Sequence, residues 1–563
     1  MIRQFIQRIL RKSDIARLLA IVSLFLVLSA VIGGVTSLFN RKPSLDTVEP
    51  SIGAPGDIVV MRGKHFGETK EDNWIEISGN RVSGNEVINW TDTLIMMRLP
   101  EILDDGLVYV VNRHGRSNPQ IFVNRDNLPV AARGNAEVGA PVIESLDAKA
   151  AEIGKRLTIK GKNFGITRNA SEVLFTWQID AAIPQATGAR MDQTMVPCSP
   201  LDFDYESWGD QEIRVRVPDG ASSGAVYVRT ERGTSGPAAL EIINSPGTKK
   251  YSDPRTYTVT VEMDVSGVNA SEGNMLFVRV PLPVTTAAQK NVSVTQSADK
   301  PYVDDYHGAI LHQIENLKTG RNEVISHSII LTNHSVTTAV NPALVKQYSD
   351  TQSPLYAVYT ANDPLVPSDD ASVRNRAATI VGQERNPYKK ANLIYAWLVE
   401  NFREGNVPKP ERDAVEALKA GSGDAWDMAI LFAALCRAAG VPAVPNAGVL
   451  VDAQRNSRVH WWAEFYVESF GWIPVDPALG AGFPQKTRGD EAKAWYFGNL
   501  DADHIAFSRG WSEQKPMTPK GRIVFKPRFY SFQPIWEESG GNIKSYASFW
   551  GDPKVTGVYN AGQ

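Results

Sequence analysis

A histidine and an aspartate in the C-terminal part of the chain have the types and spacing of a catalytic pair. In HWWAEFYV (460–467), the period-two alternation of a strand places His460 and Trp462 on one face. The following ESFG (468–471) predicts a turn, and pairing outward from it brings Asp476 close to His460 across an antiparallel hairpin. A carboxylate beside an imidazole fixes the tautomer of the ring, as a general base requires. A purely structural His–Asp contact would produce the same pattern.

A base and its orienter ordinarily serve a nucleophile, but the sequence has alanine where one is expected. The stretch GDAWDMAILFAALCRAAGVPA (423–443) predicts a helix enclosed by protein, with Gly-Asp before its start and Gly-x-Pro after its end. The helix dipole would stabilise a thiolate in the first turn, yet that turn holds Ala425. Ser422 precedes the helix start, and Cys436 lies about 16 Å along the axis.

These residues belong to a predicted α+β domain over 360–540, followed by a C-terminal tail over 541–563. Helical periodicity dominates the first half of this domain, and strand patterns return after it. Upstream, TYTVTVEMDV (256–265) and LFVRVPLPV (276–284) alternate as strands do. They predict a β-sandwich over 250–350.

Two stretches nearer the N-terminus repeat each other. GDIVVMRGKHFG (56–67) aligns with GKRLTIKGKNFG (154–165), and GLVYVVNRHGRSNP (106–119) aligns with GAVYVRTERGTSGP (224–237). Each unit therefore begins with a β-rich run ending in Phe-Gly and closes with alternating Val/Tyr positions and a Gly-x-Ser turn. Such alternation, with turn signals at short spacing, predicts antiparallel β-sandwiches.

The repeated signatures resemble those of the IPT/TIG family of immunoglobulin-like modules. The resemblance covers 48–125 and 141–244, and the second copy carries an insertion over 177–210. It implies two spacer modules of the kind found in cell-surface and adhesive proteins. A ligand-binding role for these modules is the alternative.

The N-terminal segment predicts a membrane anchor. Residues 18–39 are uncharged and mostly apolar, and 22 residues of helix can cross a hydrocarbon core of about 30 Å. Five Lys and Arg residues within 1–17 predict a cytoplasmic N-terminus, with the bulk of the chain on the other side. The expected location is the cytoplasmic membrane, single-pass, with an extracytoplasmic or periplasmic body.

The C-terminal α+β region resembles the transglutaminase-like superfamily, which has a papain-like Cys–His–Asp fold. The resemblance covers about 250–540 and rests on three motifs in order. The matching residues are Gly423, Asp427 and Ala429 at the helix start, His460, Trp462 and Glu464 in the histidine motif, and Gly471, Trp472, Asp476 and Pro477 in the aspartate motif.

The resemblance implies a role for each matched position. In the family, a cysteine thiolate attacks a glutamine or peptide carbonyl; this cysteine corresponds to Ala425. His460 would carry the proton, and Asp476 would orient His460. Trp462, Glu464, Asp427 and Trp472 are supporting residues. The calcium sites of animal transglutaminases have no counterpart, no metal or other cofactor is expected, and His504 has no cluster around it that predicts a metal ligand.

The overall prediction is a multidomain chain: one transmembrane helix, two or three β-sandwiches and an α+β transglutaminase-like domain. The first functional hypothesis is a pseudoenzyme that binds a peptide or cell-wall component. The second is a thiol acyltransferase or cysteine peptidase inactivated by a Cys-to-Ala change. Adhesion through the IPT/TIG modules is the third. The net charge of -3 gives no reason to expect nucleic acid as a partner, and two cysteines make no disulfide framework.

Overall fold

The computed structural model describes most of the chain beyond residue 41. The described residues are 42–50, 52–53, 55–100, 106–124, 139–168, 170–178, 194–243, 245–297, 308–407, 409–483, 488–511, 526–532, 537–540 and 542–560. The chain divides into two compact units, residues 1–128 and residues 129–563.

The described architecture is multidomain and mostly β-rich, and it corrects the predicted fold class on one point. No helix within the described residues is long and apolar enough to span a membrane. The longest of them, Pro387–Asn401, has 15 residues and reaches about 22 Å, which is short of a hydrocarbon core of about 30 Å. The predicted span over 18–39 lies outside the described residues.

The first unit is a sandwich of two sheets. One sheet has the strand order β1-β3-β7-β6, and the other has the order β2-β10-β8-β4-β5, with β9 paired to β8. The strands are β1 (Ser44–Glu49), β2 (Ile52–Gly53), β3 (Ile58–Lys64), β4 (Trp74–Ile77), β5 (Asn80–Arg81), β6 (Val87–Trp90), β7 (Leu94–Arg98), β8 (Gly106–Asn112), β9 (Gly115–Arg116) and β10 (Gln120–Asn124).

The second unit begins with a sandwich of the same topology. Its sheets have the orders β11-β13-β17-β16 and β12-β20-β18-β14-β15, with β19 paired to β18. The strands are β11 (Val142–Leu146), β12 (Ala150–Ala151), β13 (Arg156–Lys162), β14 (Glu172–Trp177), β15 (Met195–Pro197), β16 (Tyr205–Trp208), β17 (Glu212–Arg216), β18 (Ala221–Thr230), β19 (Gly233–Thr234) and β20 (Ala238–Ile242).

The repeated Gly-Lys-x-Phe-Gly stretch forms the same corner in both sandwiches. A Cβ on Gly161 would lie 1.9 Å from the carbonyl oxygen of Val142, so only glycine fits there. Asn163 then adopts a left-handed φ of 64°, which asparagine tolerates, and turns Phe164 into the core. Gly63, His65 and Phe66 repeat this geometry in the first sandwich.

A third sandwich follows, and the C-terminal end of the chain completes it. One sheet has the order β23-β25-β21-β33, with β34 also paired to β21, and the other has the order β24-β22-β32. Residues 543–560, which belong to the predicted C-terminal tail over 541–563, form β33 and β34, because the long strand β21 offers them an open edge. The strands are β21 (Gly247–Ala270), β22 (Met275–Pro281), β23 (Gln289–Ser297), β24 (Ala309–Glu315), β25 (Glu323–Val340), β32 (Glu537–Gly540), β33 (Ile543–Trp550) and β34 (Lys554–Asn560).

Between these strands the chain builds an α+β domain, in which helices pack on the sheet β30-β29-β28-β31. The helices are α1 (Pro354–Thr360), α2 (Ala371–Val381), α3 (Pro387–Asn401), α4 (Ala414–Ala420), α5 (Ala425–Ala438), α6 (Pro477–Ala481) and α7 (Ala492–Trp495). The strands are β26 (Arg403–Glu404), β27 (Ser422–Gly423), β28 (Ala443–Val451), β29 (Ser457–Val467), β30 (Gly471–Val475) and β31 (His504–Arg509).

Helix α5 is the centre of this domain, and its first thirteen residues are buried. It contacts α2, α3, α4 and α6 as well as β28 and β29. Phe432 packs on Phe465 of β29, so the odd-numbered face of that strand lies against the helix. Because nearly all residues of α5 are apolar, the helix must be enclosed by protein on all sides.

The core of the third sandwich holds a buried histidine pair. His312 Nε2 and His327 Nε2 are 2.8 Å apart, and both side chains are buried. Within the described part of the chain, His327 Nδ1 has no hydrogen-bond partner. Burial, reinforced by His312, lowers the pKa of His327 to about 4.

The histidine pair predicts an acid-sensitive sandwich. Since the pKa of His327 is about 6.5 when unfolded and about 4 when folded, its neutral form is stabilised by folding, and stability falls as pH drops from 6.5 through 4. Thermal unfolding of the wild type and of His327→Gln, measured from pH 7.5 to 4, should show a smaller drop in Tm for the variant. Equal drops for the two proteins would contradict this assignment.

Candidate active site

The hairpin β29–β30 brings His460 and Asp476 together. The strands pair in register from Ala463 with Val475 to Val467 with Gly471, and Asp476 follows directly after β30. His460 Nε2 lies 2.6 Å from Asp476 Oδ2, and both side chains are buried. The second oxygen, Asp476 Oδ1, accepts a hydrogen bond of 2.8 Å from the backbone N–H of Leu479, so Asp476 also caps α6.

A second histidine completes this group, and sequence reasoning did not place it there. His504 Nε2 lies 3.1 Å from the same Asp476 Oδ2, and His504 Nδ1 lies 2.7 Å from Asp501 Oδ1. The strand β31 carries His504 to this position because it pairs with β28, next to β29. The only sequence signal was the Asp-x-x-His spacing in DADHIAFSRG.

The group is held together by charge. Burial alone would raise the pKa of Asp476, but His460 and His504 hold it well below its usual range. Burial would lower the pKa of His504, but Asp501 and Asp476 raise it to about 10. The pKa of Asp501 is likewise lowered, because His504 outweighs its burial. At neutral pH His504 therefore carries a positive charge between two carboxylates.

This arrangement sets the proton positions on His460. An ionised carboxylate can only accept, so His460 Nε2 carries the proton that it shares with Asp476. In the part of the chain that the structure describes, Nδ1 makes no hydrogen bond. The nitrogen that could take a proton from a reacting group is therefore Nδ1.

The start of α5 lies beside this hairpin. The ring of Trp426, which follows Ala425, is 5.6 Å from the ring of Trp461, which follows His460, with an edge-on geometry. Ala425 is the first residue of the helix, and its side chain is a 6% exposed methyl group. The predicted nucleophile position therefore carries no group that can attack a carbonyl.

The carboxylates of Asp424 and Asp427 cap the start of α5. The side chain of Asp424 accepts from the backbone N–H of Asp427, and the side chain of Asp427 accepts from the N–H of Asp424, which makes a capping box. Burial raises the pKa of the Asp427 carboxyl, although Arg528 opposes this. Asp427 thus has a structural role at the helix start.

An arginine from far along the chain covers this turn. Arg528 contacts both oxygens of Asp424, lies 3.0 Å from Asp427 Oδ1 and is stacked over Trp426. Its backbone adopts a left-handed φ of 53°. The backbone carbonyl of Phe529 accepts from Trp461 Nε1 at 3.0 Å, so residues 526–532 bridge the helix start and β29. No sequence motif pointed to Arg528.

The other predicted supporting residues lie on the opposite side of the sheet from α5. Trp462 stacks near His460, with ring centroids 6.4 Å apart, and meets His504 edge-on at 5.1 Å. Glu464 accepts from Arg509 at 2.9 Å. Trp472 donates its indole N–H to Asp202 at 2.8 Å.

Asp202 belongs to the second sandwich and lies in the insertion over 177–210. It also pairs with Arg509, so the insertion is joined to the strand face that carries the histidine motif. Lys249 adds a buried ion pair with Asp219 and a 2.6 Å bond to the carbonyl of Trp472. Trp472 and Arg509 therefore hold the second sandwich against the α+β domain, and Glu464 positions Arg509.

Comparison with known proteins identifies the domain that carries these residues. Residues 374–477, which include Ala425, His460 and Asp476, match the family described as the transglutaminase-like superfamily. The chain contains a transglutaminase-like domain. The resemblance predicted from the three motifs is confirmed at that level, although the match does not extend to the IPT/TIG modules or to the anchor.

Relatives of this chain are similar over part of its length. An uncharacterised protein of Haemophilus influenzae strain Rd is 31% identical over 171 residues, which are 25% of this chain and 46% of that protein. The chain spans less than half the length of the curated relatives it matches.

Two solved structures are neighbours of this one. A candidate cysteine protease from Cytophaga hutchinsonii has 13% identity and a TM-score of 0.37, covering 56% of this chain and 93% of its own. The periplasmic domain of TgpA from Pseudomonas aeruginosa, bound to ethylmercury, has 12% identity and a TM-score of 0.23, covering 40% and 90%.

Loss of Arg528, which contacts the carboxylates at the start of α5, should destabilise the protein. Arg528→Gln leaves Asp427 buried with the more distant Arg412 at 3.5 Å, and should lower the free energy of unfolding by about 2–3 kcal/mol. Urea unfolding followed by fluorescence measures the change. Arg156→Gln removes a surface arginine and should cost less than about 1 kcal/mol. Equal losses for both variants would show that Arg528 has no special role.

Proposed function

We propose that the protein is a transglutaminase-like pseudoenzyme, which binds a ligand in this domain without thiol chemistry. The observation that supports this is the methyl group of Ala425 at the start of α5. The two cysteines of the chain, Cys198 and Cys436, are both buried. Burial raises the pKa of each thiol well above its usual value, so neither supplies a thiolate.

Among the residues that the structure describes, neither Asp424 nor Cys436 is a replacement nucleophile. Asp424 is held by Arg528 and by its own capping box, and Cys436 lies three helical turns along α5 inside the core. Removing the nucleophile of such a triad costs about a millionfold in turnover, judging from a serine protease. The remaining His460–Asp476 pair has no attacking group to activate.

The ligand that we propose is a peptide or a cell-wall component. Enzymes with this arrangement act on glutamine or peptide carbonyls, and this chain keeps the histidine, the aspartate and the tryptophans around them. We further propose that the two N-terminal sandwiches are IPT/TIG modules. Their identical strand order and their shared Gly-Lys-x-Phe-Gly corner support this assignment.

The first test restores the missing thiol. Ala425→Cys should give no measurable amine incorporation into a glutamine peptide and no amide hydrolysis, because Arg528 and Trp461 already enclose the helix start. A fluorescent amine and a chromogenic amide measure the two activities. Ala425→Ser is the matched control for a small polar group at the same position.

The same experiment evaluates the alternative, an acyltransferase or cysteine peptidase that has lost its cysteine. Strong activity of Ala425→Cys that disappears in Ala425→Cys/His460→Gln would overturn the pseudoenzyme proposal and establish this alternative. Activity that survives the loss of His460 would come from another site.

A second test examines ligand binding. Soluble peptidoglycan stem peptides should bind the full chain with a Kd of about 1–100 µM by calorimetry. His460→Gln, which removes the imidazole of the site, should weaken binding at least tenfold. Ala420→Leu, at the exposed end of α4, should not. Binding that is equally strong in both variants would place the ligand elsewhere, and adhesion through the N-terminal modules would then be favoured.

A further inference from the structure

The side chains of His460, Asp476 and His504 point at one another. A simple His–Asp pair would not need the second histidine. The Nε2 atoms of His460 and His504 both approach the same oxygen, Asp476 Oδ2, at 2.6 and 3.1 Å. All three ligand-type atoms lie within 4.8 Å of one another. The three residues come from β29, from the end of β30 and from β31, so the sheet itself sets their spacing.

Further hydrogen bonds hold the outward-facing atoms of His504 and Asp476 in place. Asp501 Oδ1 accepts from His504 Nδ1 at 2.7 Å, and Tyr496 donates its hydroxyl to Asp501 Oδ2 at 3.1 Å. The N–H of Leu479 holds Asp476 Oδ1. Carboxylates behind ligating histidines and fixed ligand carboxylates are the usual surroundings of protein metal ions.

The group also lacks a permanent positive charge. Asp476 and Asp501 are two buried or largely buried carboxylates, and within the described residues their only ion-pair partners are histidines. With His504 protonated the group carries a net charge of about −1, and it reaches about −2 once His504 gives up its proton to bind a metal, a charge that is expensive in a buried place. A divalent cation would neutralise it completely.

We propose that His460, Asp476 and His504 bind a divalent transition-metal ion of the Zn²⁺ class. Two imidazole nitrogens and one carboxylate suit Zn²⁺, Co²⁺ or Ni²⁺, whereas Ca²⁺ and Mg²⁺ require mostly oxygen ligands. The proposal does not depend on whether the domain is a pseudoenzyme.

The binding step requires small movements and a balanced proton change. Tetrahedral ligands at about 2.0 Å from Zn²⁺ are about 3.3 Å apart, so His460 Nε2 and Asp476 Oδ2 would separate by about 0.7 Å. His504 releases its Nε2 proton to solvent and keeps the Nδ1 proton that it donates to Asp501. His460 moves its proton from Nε2 to Nδ1.

The test uses the full chain after dialysis against a chelator. Zn²⁺ titrated by calorimetry should bind at one equivalent with a Kd below about 1 µM. Co²⁺ should bind at the same site, give visible d–d absorption bands and lose them when Zn²⁺ is added. His504→Ala should weaken binding by at least about 100-fold, because changes behind the ligands alone cost about 10–100-fold.

The matched control is His334→Ala. His334 is also buried, but it contacts the carbonyl of Ala288 at 2.9 Å rather than a carboxylate, and its loss should leave the metal affinity unchanged. Asp501→Asn, which keeps the volume of the side chain, should weaken binding about 10–100-fold and serves if His504→Ala does not fold. No saturable binding by the wild type up to 100 µM Zn²⁺, taken as about a hundredfold above the expected Kd, overturns the proposal. So does equal affinity in the wild type, His504→Ala and Asp501→Asn.

Discussion

The burial of the Asp476 charge is the constraint on which the site depends. A carboxylate without solvent must find partners, and here it finds two imidazoles and one backbone N–H. These contacts fix where α6 starts, where β31 must lie and which nitrogen of His460 carries a proton. Loss of any one partner would leave a buried acceptor or charge unsatisfied, which is among the more expensive defects in a protein interior.

The start of α5 also holds a buried carboxylate that needs a partner. Asp424 caps the helix and Asp427 lies in its first turn, as the helix dipole favours, but Asp427 is buried away from water. Arg528 supplies the counter-charge from a segment about a hundred residues away. The helix start, which would need an open approach in a thiol enzyme, therefore carries a guanidinium on its carboxylates and a packed pair of tryptophans, Trp426 and Trp461. This closure is consistent with the alanine at position 425.

The second sandwich belongs to the same compact unit as the α+β domain that carries the site. Asp202, from the insertion that distinguishes it from the first sandwich, binds both Trp472 and Arg509. Arg509 in turn holds Glu464 on the strand of His460. Glu464 and Trp472, two of the predicted supporting residues, thus take part in an interface, because their partners are charged groups from other elements.

The sequence by itself determined what depends on short-range order. Alternation and the turn at 468–471 define one hairpin, and this hairpin places Asp476 beside His460; a nearly continuous run of apolar residues, with Gly/Pro signals at its ends, defines α5. The corner recurs as the same Gly-Lys-x-Phe-Gly stretch in both sandwiches, so it too can be recognised in the sequence. Tertiary structure alone decided that His504 and Asp501 join the pair, that Arg528 closes the helix start and that residues 543–560 complete the third sandwich. These contacts connect residues tens to hundreds of positions apart, and no local periodicity encodes which distant strand will occupy an open edge or which cation will neutralise a buried carboxylate.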